Sequence, residues 1–370
     1  MKSTSYTIFR YFQIIAIFTV ITSCSYKSLI YQIPDEKDIT RFKHEEVGNS
    51  DFCWNFTESI KNKNWTISNW TTKEILCRDN LSDVLTQLKA KHFLVIKNDT
   101  IVFEYLGNKM NNKLPRPIFS MAKTFISAAL GKAIEEEYID STSQLVSYYL
   151  PELNYHENFN SLTIDHLLNQ TSGLKLDVKN ISDAYYSKVT NVLKNLHFKA
   201  IPGSHFEYIN INSVLLSLIV ERATKQDLHK YFSDHIWSQI GTCDPTVWGY
   251  DYKTQHTRGF CCVGVSARDL GKFGKLYLNL GKWLGNQILD SAWVQKSTSS
   301  MDVFGNVDGY NNNWFIGDSS IGDFLTLGMH KQLLYVNPKE KVIIVSFMNS
   351  NKSTSHVLWW ELMRQISNQA

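Results

Sequence analysis

Phe119-Ser120-Met121-Ala122-Lys123 is the stretch of this 370-residue chain around which the prediction of its fold is built. Residues three apart on a helix share a face, so Ser120 and Lys123 would present a hydroxyl and an amine to the same place. At the first turn of a helix, the dipole and free N–H groups stabilise an alkoxide, and a desolvated lysine amine can take its proton. A helix predicted from Ser120 to about Tyr138 supplies that setting, which makes Ser120 a candidate nucleophile.

The Ser-x-x-Lys pattern alone does not single out this serine, because it occurs twice. The second match is Ser172-Gly173-Leu174-Lys175, whose glycine lies in a predicted turn and spoils the helical alignment. The position at the start of a helix therefore selects Ser120.

A tyrosine that passes the proton to the leaving group is the expected second element. Tyr208-Ile209-Asn210 follows Pro202-Gly203 and precedes a helix predicted from Asn212 to Ala223, with Asn210 or Asn212 as its cap. Three other tyrosines also begin a Tyr-x-Asn, namely Tyr277, Tyr310 and Tyr335. Tyr277 lies in a predicted helix and Tyr335 in a predicted strand, where a structural role is favoured. Tyr208 is preferred because a turn lets its side chain project into a cleft.

Strand-like runs occur near both ends of the chain. Residues 92–97 and 100–105 are joined by Asn98-Asp99, a hairpin signal. Residues 332–336 and 342–347 flank a Pro338-Lys339-Glu340 turn, and a helix is predicted from His356 to Ile366. Short helices are predicted at residues 163–169 and 268–280. These elements predict an α+β fold in which both ends share one antiparallel sheet and the middle forms a mostly helical lobe.

Taken together, these stretches resemble the serine β-lactamase superfamily, especially its class C, esterase and 6-aminohexanoate-oligomer hydrolase branch. The resemblance runs from about Phe93 to Phe347 and rests on residues 119–123, 162–174, 202–210, 266–274, 281–283 and 292–294. It implies a β-lactamase/transpeptidase-like fold and an acyl-enzyme mechanism without metal or organic cofactor. Ser120 would attack, Lys123 and Tyr208 would move protons, and Asn210 would place the substrate amide or Lys123.

The third family motif departs from the pattern. Class C enzymes carry Lys-Thr-Gly on the strand beside the nucleophile, and this chain has Leu325-Thr326-Leu327-Gly328 there. Thr326 and Gly328 are the expected substrate-binding residues of this strand, and His330 or Lys331 supplies a cation if its register differs. A carboxylate-bearing β-lactam needs a positive partner, so its absence disfavours a true β-lactamase.

The expected activity is cleavage of a small or short oligomeric amide or ester. The alternatives are a binding protein of the same fold that has lost turnover, and a penicillin-binding D,D-carboxypeptidase or transpeptidase. A net charge of +3 without a basic stripe argues against nucleic-acid binding, and a monomer or weak dimer is expected. His229 and His235, six apart, have the wrong spacing for a helical zinc site, and Asp269 is interpreted as a helix-start residue.

The N-terminus indicates export. A basic start and an apolar run end in Ile21-Thr22-Ser23-Cys24, which resembles a bacterial lipobox. Residues 1–24 are therefore predicted to be a signal peptide, 25–85 a tether and N-terminal extension, and 86–370 the hydrolase domain. Lipidation of Cys24 would hold the chain on the periplasmic or cell-surface side of a membrane. Cys53–Cys77 is the expected disulfide, and Cys261 and Cys262 are expected to be buried thiols.

Overall fold

A computed structural model describes residues 34–59, 65–67, 80–108, 110–176, 189–194, 196–300, 309–349 and 356–370. The strands in these ranges are β1 (His44–Val47), β2 (Thr57–Glu58), β3 (Ala90–Lys97), β4 (Thr100–Leu106), β5 (Arg116–Pro117), β6 (Leu174–Leu176), β7 (Leu196–Phe198), β8 (Thr246–Asp251), β9 (His256–Thr257), β10 (Val263–Val265), β11 (Lys282–Trp283), β12 (Asn286–Gln287), β13 (Tyr310–Asn311), β14 (Trp314–Ile316), β15 (Phe324–Gly328), β16 (Gln332–Asn337) and β17 (Val342–Met348).

The α-helices in the same ranges are α1 (Asp38–Arg41), α2 (Leu81–Gln87), α3 (Ala122–Glu135), α4 (Val146–Tyr149), α5 (Ile164–Leu168), α6 (Asn210–Thr224), α7 (Leu228–His235), α8 (Ala267–Leu278), α9 (Ser291–Thr298) and α10 (His356–Gln369). Short 3-10 helices add Phe119–Met121, Pro151–Leu153, Glu157–Asn160, Val189–Lys194, Trp237–Gln239 and Met329–Lys331. None of the helices in the described ranges has the length and apolar character needed to cross a membrane.

The larger sheet joins the two ends of the chain, as predicted. Its strand order is β13-β14-β15-β16-β17-β3-β4-β2, and β17 pairs antiparallel with β3. The hairpin between β3 and β4 turns at Asn98 and Asp99, whose φ angles of 48° and 62° are the left-handed values that a two-residue turn requires. This pairing of chain ends brings β15 and β16 next to the first turn of the helix that carries Lys123.

Both faces of the large sheet are buried. On one face, Leu94 and Ile96 of β3 pack into the cluster that contains α3, α6 and α8. On the other face, Phe93 and Val95 pack against α2 and α10. The β3 sequence is therefore almost continuously apolar, because the side chains on both faces of the strand pack against helices and not against water.

The N-terminal extension contributes the strands β1 and β2 to the sheets. Strand β1 pairs with β8 in a second sheet of order β1-β8-β10-β5, and β2 pairs parallel with β4. Helix α2 spans the predicted domain boundary at residue 85, with Leu85 fully buried. Residues 1–33, including Cys24, lie outside the described ranges, so the signal peptide and domain division stay predictions.

The predicted helices are present with shifted ends. Residues 119–121 form a 3-10 turn before α3, so Ser120 precedes the α-helix instead of starting it. Helix α6 begins at Asn210 with Ile209 as the N-cap, so the prediction of an asparagine cap was wrong. The physical reason is that the Asn210 side chain binds Lys123 and does not turn back onto its own helix.

The disulfide prediction was also wrong. Cys53 is bonded to Cys243, and Cys261 is bonded to its neighbour Cys262, so these two are not free thiols. Cys77 lies outside the described ranges. The extension reaches Cys243 because it follows the turn after α7: Trp54 N–H donates to the Gly241 carbonyl at 2.9 Å, which places Cys53 beside residue 243.

The two bonds differ in what they do for stability. Cys53 and Cys243 are 190 residues apart, so their bond removes chain entropy worth up to about 5 kcal/mol from the unfolded state. The bond between neighbours closes a minimal loop and contributes about 1 kcal/mol on the same scale.

We expect Cys53→Ser with Cys243→Ser to lower the free energy of unfolding by about 2–4 kcal/mol, measured by urea denaturation. The matched control is Cys261→Ala with Cys262→Ala, which should cost clearly less in the same assay. Equal losses in the two double variants would contradict this assignment of the stabilising bond.

Candidate functional site

Ser120 lies in a turn that is anchored on both sides. Ile118 N–H donates to the Val263 carbonyl of β10 at 3.0 Å, and Met121 N–H donates back to the Ile118 carbonyl at 3.1 Å. Phe119 adopts φ of 50°, a left-handed conformation that is uncommon for a non-glycine residue. Phe119 and Met121 are buried, whereas Ser120 between them keeps partial exposure. The turn thus presents the Ser120 hydroxyl at the surface of a cavity.

Lys123 lies one helical turn further on and is 1% exposed. Its Nζ lies within hydrogen-bond distance of three oxygens: Ser120 Oγ at 3.3 Å, Asn210 Oδ1 at 2.9 Å and the Phe260 carbonyl at 3.5 Å. The same Nζ lies 4.9 Å from the centre of the Tyr208 ring, a cation–π contact. The three oxygens are neutral, so they satisfy the buried amine without an ion pair.

Tyr208 and Asn210 are held by Gln170, which the sequence analysis did not identify. The Gln170 carbonyl accepts from Glu207 N–H at 2.8 Å, and its Oε1 accepts from Ile209 N–H at 2.9 Å. Asn212 Nδ2 donates to the same Oε1 at 2.9 Å. Gln170 lies within the 162–174 stretch of the resemblance, which was the only sequence signal for it.

Two further side chains, those of Asn313 and Tyr310, hold the backbone of Lys123 in place. Asn313 Nδ2 donates to the Lys123 carbonyl at 3.1 Å, and the Tyr310 hydroxyl donates to Asn313 Oδ1 at 3.1 Å. Burial, with the neighbouring Tyr208, raises the pKa of Tyr310 well above its usual value. Tyr310 therefore remains a protonated donor and fixes the orientation of Asn313.

Strand β15 passes close to the nucleophile turn at Gly328. A Cβ on Gly328 would lie 2.3 Å from the Ile118 carbonyl oxygen, so only glycine allows this approach. Met329, the next residue, lines the cavity. Thr326 is buried in mid-strand opposite Leu334. The backbone at Gly328 therefore reaches the site. The Thr326 side chain is buried in the sheet and is not among the described residues that line the cavity.

His330 and Lys331, the candidates for the missing cation, make other contacts. His330 Nε2 lies 2.6 Å from the Pro34 carbonyl oxygen, and its ring packs edge-on against Phe119 at 5.3 Å. Lys331 Nζ lies 5.9 Å from the centre of the Trp359 ring, on the α10 side of the sheet. Neither residue lines the cavity as the described part of the chain forms it.

The cavity at Ser120 has a volume of about 170 Å³. The described residues that line it are Phe119, Ser120, Tyr208, Asn210, Phe260, Cys261 and Met329. All seven side chains are uncharged. Phe260, Cys261 and Met329 were not predicted, because nothing in their local sequence marks a position that tertiary packing places in a cavity wall.

The other polar residues considered from sequence lie in structural contacts. His229 Nδ1 lies 3.1 Å from Thr257 Oγ1, and His235 Nδ1 lies 2.8 Å from Glu136 Oε1. Asp269 lies in the first turn of α8, where its carboxylate accepts from the N–H groups of Cys243 and Asp244. Within the ranges that the structure describes, no group of three or more His, Cys, Asp or Glu residues could hold a metal ion.

A family model named Beta-lactamase matches residues 91–368. The chain belongs to the beta-lactamase family. Its fold is the β-lactamase/transpeptidase-like one that the sequence predicted, and the family consists of hydrolases and related proteins of the serine β-lactamase superfamily.

Individual relatives extend the comparison. Protein flp of Staphylococcus aureus (strain MW2) is 28% identical over 285 residues, which are 68% of this chain and 56% of that protein. The chain thus spans only about half the length of that relative. A 6-aminohexanoate-dimer hydrolase of Paenarthrobacter ureafaciens is 24% identical over 298 residues, covering 72% of this beta-lactamase-family chain and 74% of the relative.

A solved structure shows the same fold over nearly the full chain. A Bacillus anthracis protein assigned as a 6-aminohexanoate-dimer hydrolase superposes with a TM-score of 0.79 at 24% identity. The match covers 89% of this chain and 91% of that one.

The close approach at Gly328 gives a test of the site's architecture. We expect Gly328→Ala to destabilise the protein by about 1–3 kcal/mol, because the added methyl group meets backbone that cannot move aside easily. The measurement is the free energy of unfolding in urea. Gly48→Ala is the matched control, because its Cβ would meet only the Ser233 hydroxyl at 3.0 Å. A Gly328 variant no less stable than the Gly48 variant would refute the close approach.

Proposed function

We propose that this beta-lactamase-family chain is a serine hydrolase that cleaves a small ester or amide through an acyl-enzyme on Ser120. The observation that carries the proposal is the 3.3 Å contact between Ser120 Oγ and Lys123 Nζ at the wall of a cavity. A hydroxyl at hydrogen-bond distance from a buried amine is the arrangement of an activated nucleophile.

Proton transfer follows from the same contacts. With Lys123 as a neutral amine, its Nζ accepts the Ser120 proton while Oγ forms a bond to the substrate carbonyl carbon. Tyr208 lines the cavity and is 38% exposed there, and it would pass that proton to the departing alcohol or amine as the ester or amide bond breaks. Water then attacks the acyl group, returning a proton to the site and releasing the acid.

Backbone N–H groups would stabilise the tetrahedral intermediate. Ser120 lies in the 3-10 turn that precedes α3, and its own backbone N–H is the first candidate donor. The end of β15 passes beside this turn at Gly328 and Met329, and its backbone is the second source of a donor. Such donors need no particular side chain, so they are compatible with the altered third motif.

The lining of the cavity favours an uncharged acyl group. The described side chains that form it are uncharged residue types, and the two nearby basic residues, His330 and Lys331, contact Pro34 and Trp359. A volume of about 170 Å³ is close to that of an engineered cavity that holds benzene, which is on the order of 150 Å³. Short-chain esters and amides fit this cavity better than β-lactams or peptides that present a carboxylate.

We expect a fluorophosphonate probe to label the wild type and not Ser120→Ala, with labelling detected by intact-protein mass spectrometry. Hydrolysis of p-nitrophenyl acetate should fall on the order of 10³-fold or more in the same variant, because the nucleophile is lost. The matched control is Ser319→Ala, an exposed serine in the turn before β15, which should behave as wild type.

Labelling that persists in Ser120→Ala would overturn the assignment. A stoichiometric burst of nitrophenol without turnover would instead identify a binding protein that is acylated but not regenerated.

We also propose that the chain is exported and held at a membrane surface by a diacylglyceryl group on Cys24. The lipobox-like Ile21-Thr22-Ser23-Cys24 supports this, and two disulfides fit an oxidising compartment outside the cytoplasm. We expect wild-type protein expressed in a bacterium to partition into Triton X-114 detergent and Cys24→Ser protein to partition into the aqueous phase. Equal partitioning of the two proteins would contradict the anchor.

A further inference from the structure

The Cys261–Cys262 disulfide forms part of the cavity wall at Ser120. Cys261 is 2% exposed and lines the cavity together with Ser120 and Met329. The bond joins adjacent residues, so it closes no long chain loop and has little effect on the unfolded state. Its position beside the nucleophile therefore indicates a role at the site and not in stabilising the fold.

The segment that carries the disulfide is anchored at both ends. Trp248 Nε1 donates to the Arg258 carbonyl at 3.0 Å, before the disulfide, and Val263 pairs with Trp248 after it. Between these anchors, Gly249 N–H donates to the Cys262 carbonyl at 2.8 Å. These three contacts hold this part of the cavity wall against β8.

Cys262 packs against β8 and keeps partial exposure on its other side. It adopts φ of 71°, and a Cβ on Gly249 would lie 2.7 Å from the Cys262 Cβ, so β8 presses directly against it. Cys261 faces the cavity, where there is open volume. If the bond is broken, the two sulfurs must separate to non-bonded distance, on the order of 3.5–4 Å. The cavity gives the Cys261 sulfur space to move.

The same segment contacts the lysine. The Phe260 carbonyl, one residue before Cys261, accepts from Lys123 Nζ at 3.5 Å. A shift of the chain at Cys261 would therefore move both the cavity wall and an oxygen that contacts Lys123 Nζ.

We propose that the Cys261–Cys262 disulfide determines the acyl-chain specificity of the site, by holding the Cys261 sulfur back from the cavity. This rests on the proposed serine hydrolase function. Reduction by a dithiol adds two electrons and two protons, giving two thiols and the oxidised dithiol. The freed Cys261 sulfur then occupies volume that the acyl chain would use.

The test compares p-nitrophenyl butyrate with p-nitrophenyl acetate in two single variants of the full chain. In Cys262→Ala the Cys261 sulfur is free, and the butyrate-to-acetate ratio of kcat/KM should fall roughly 10-fold, about the effect of one or two methylenes in a pocket. In Cys261→Ala the sulfur is absent from the wall, and the same ratio should rise above that of the wild type. A merely structural role would lower both activities together and would not move the ratio in opposite directions.

Reduction with dithiothreitol tests the same proposal in a protein that keeps both Cys261 and Cys262. Dithiothreitol should lower the butyrate-to-acetate ratio of Cys53→Ser with Cys243→Ser, which retains only the neighbouring-cysteine bond among the two described. Dithiothreitol should not change the butyrate-to-acetate ratio of the double variant Cys261→Ala with Cys262→Ala. Alkylation and mass spectrometry on each sample report which cysteines are reduced.

Ratios that do not change, or that change in the same direction in both single variants, would overturn the specificity role while leaving the hydrolase intact. A dithiothreitol response that survives in the Cys261 and Cys262 double variant would overturn it as well. Failure of the oxidised wild type to hydrolyse either ester or to accept a fluorophosphonate would overturn the proposed function itself, and this inference with it.

Discussion

Burial of the Lys123 amine is the constraint on which the geometry of the site depends. A lysine that is 1% exposed must find polar partners inside the protein, and here three neutral oxygens surround it. They come from residues 120, 210 and 260, which belong to three separate parts of the chain. The start of α3, the start of α6 and the segment before β10 must therefore converge on one point, and the sheets hold them there.

The convergence explains why residues near the cavity adopt unusual backbone conformations. Phe119, Gln170, Cys262 and His330 all have left-handed φ angles between 50° and 71°. Each such conformation costs on the order of 1–3 kcal/mol for a non-glycine residue and persists only where its surroundings enforce it. Gln170 accepts three hydrogen bonds, and Cys262 accepts one from the N–H of Gly249. Such conformations also occur elsewhere in the described chain, and around Lys123 they turn the chain so that its side chains surround the amine.

The sequence predicted the parts of the molecule whose signals are local. The Asn98-Asp99 turn, the apolar runs of β16 and β17 and the helix after Ser120 depend on near neighbours in the chain, and they are present. The Cys53–Cys243 bond depends on contact between residues 190 apart, so no spacing rule could identify it. The same holds for Met329, since its place in the cavity follows from the approach of β15 to Ile118.

The departure at the third motif affects substrate and chemistry differently. The contacts of the Lys123 amine involve Ser120, Asn210 of α6 and the Phe260 carbonyl, and none of them uses a side chain of β15. The cavity wall, by contrast, includes Met329 directly after that strand, while His330 turns to Pro34. Replacement of a cationic strand side chain by apolar ones therefore removes a carboxylate partner without disturbing the serine and its lysine. Because the two sets of contacts are separate, the wall can change the acyl group that fits while the nucleophile and its proton acceptor stay in place.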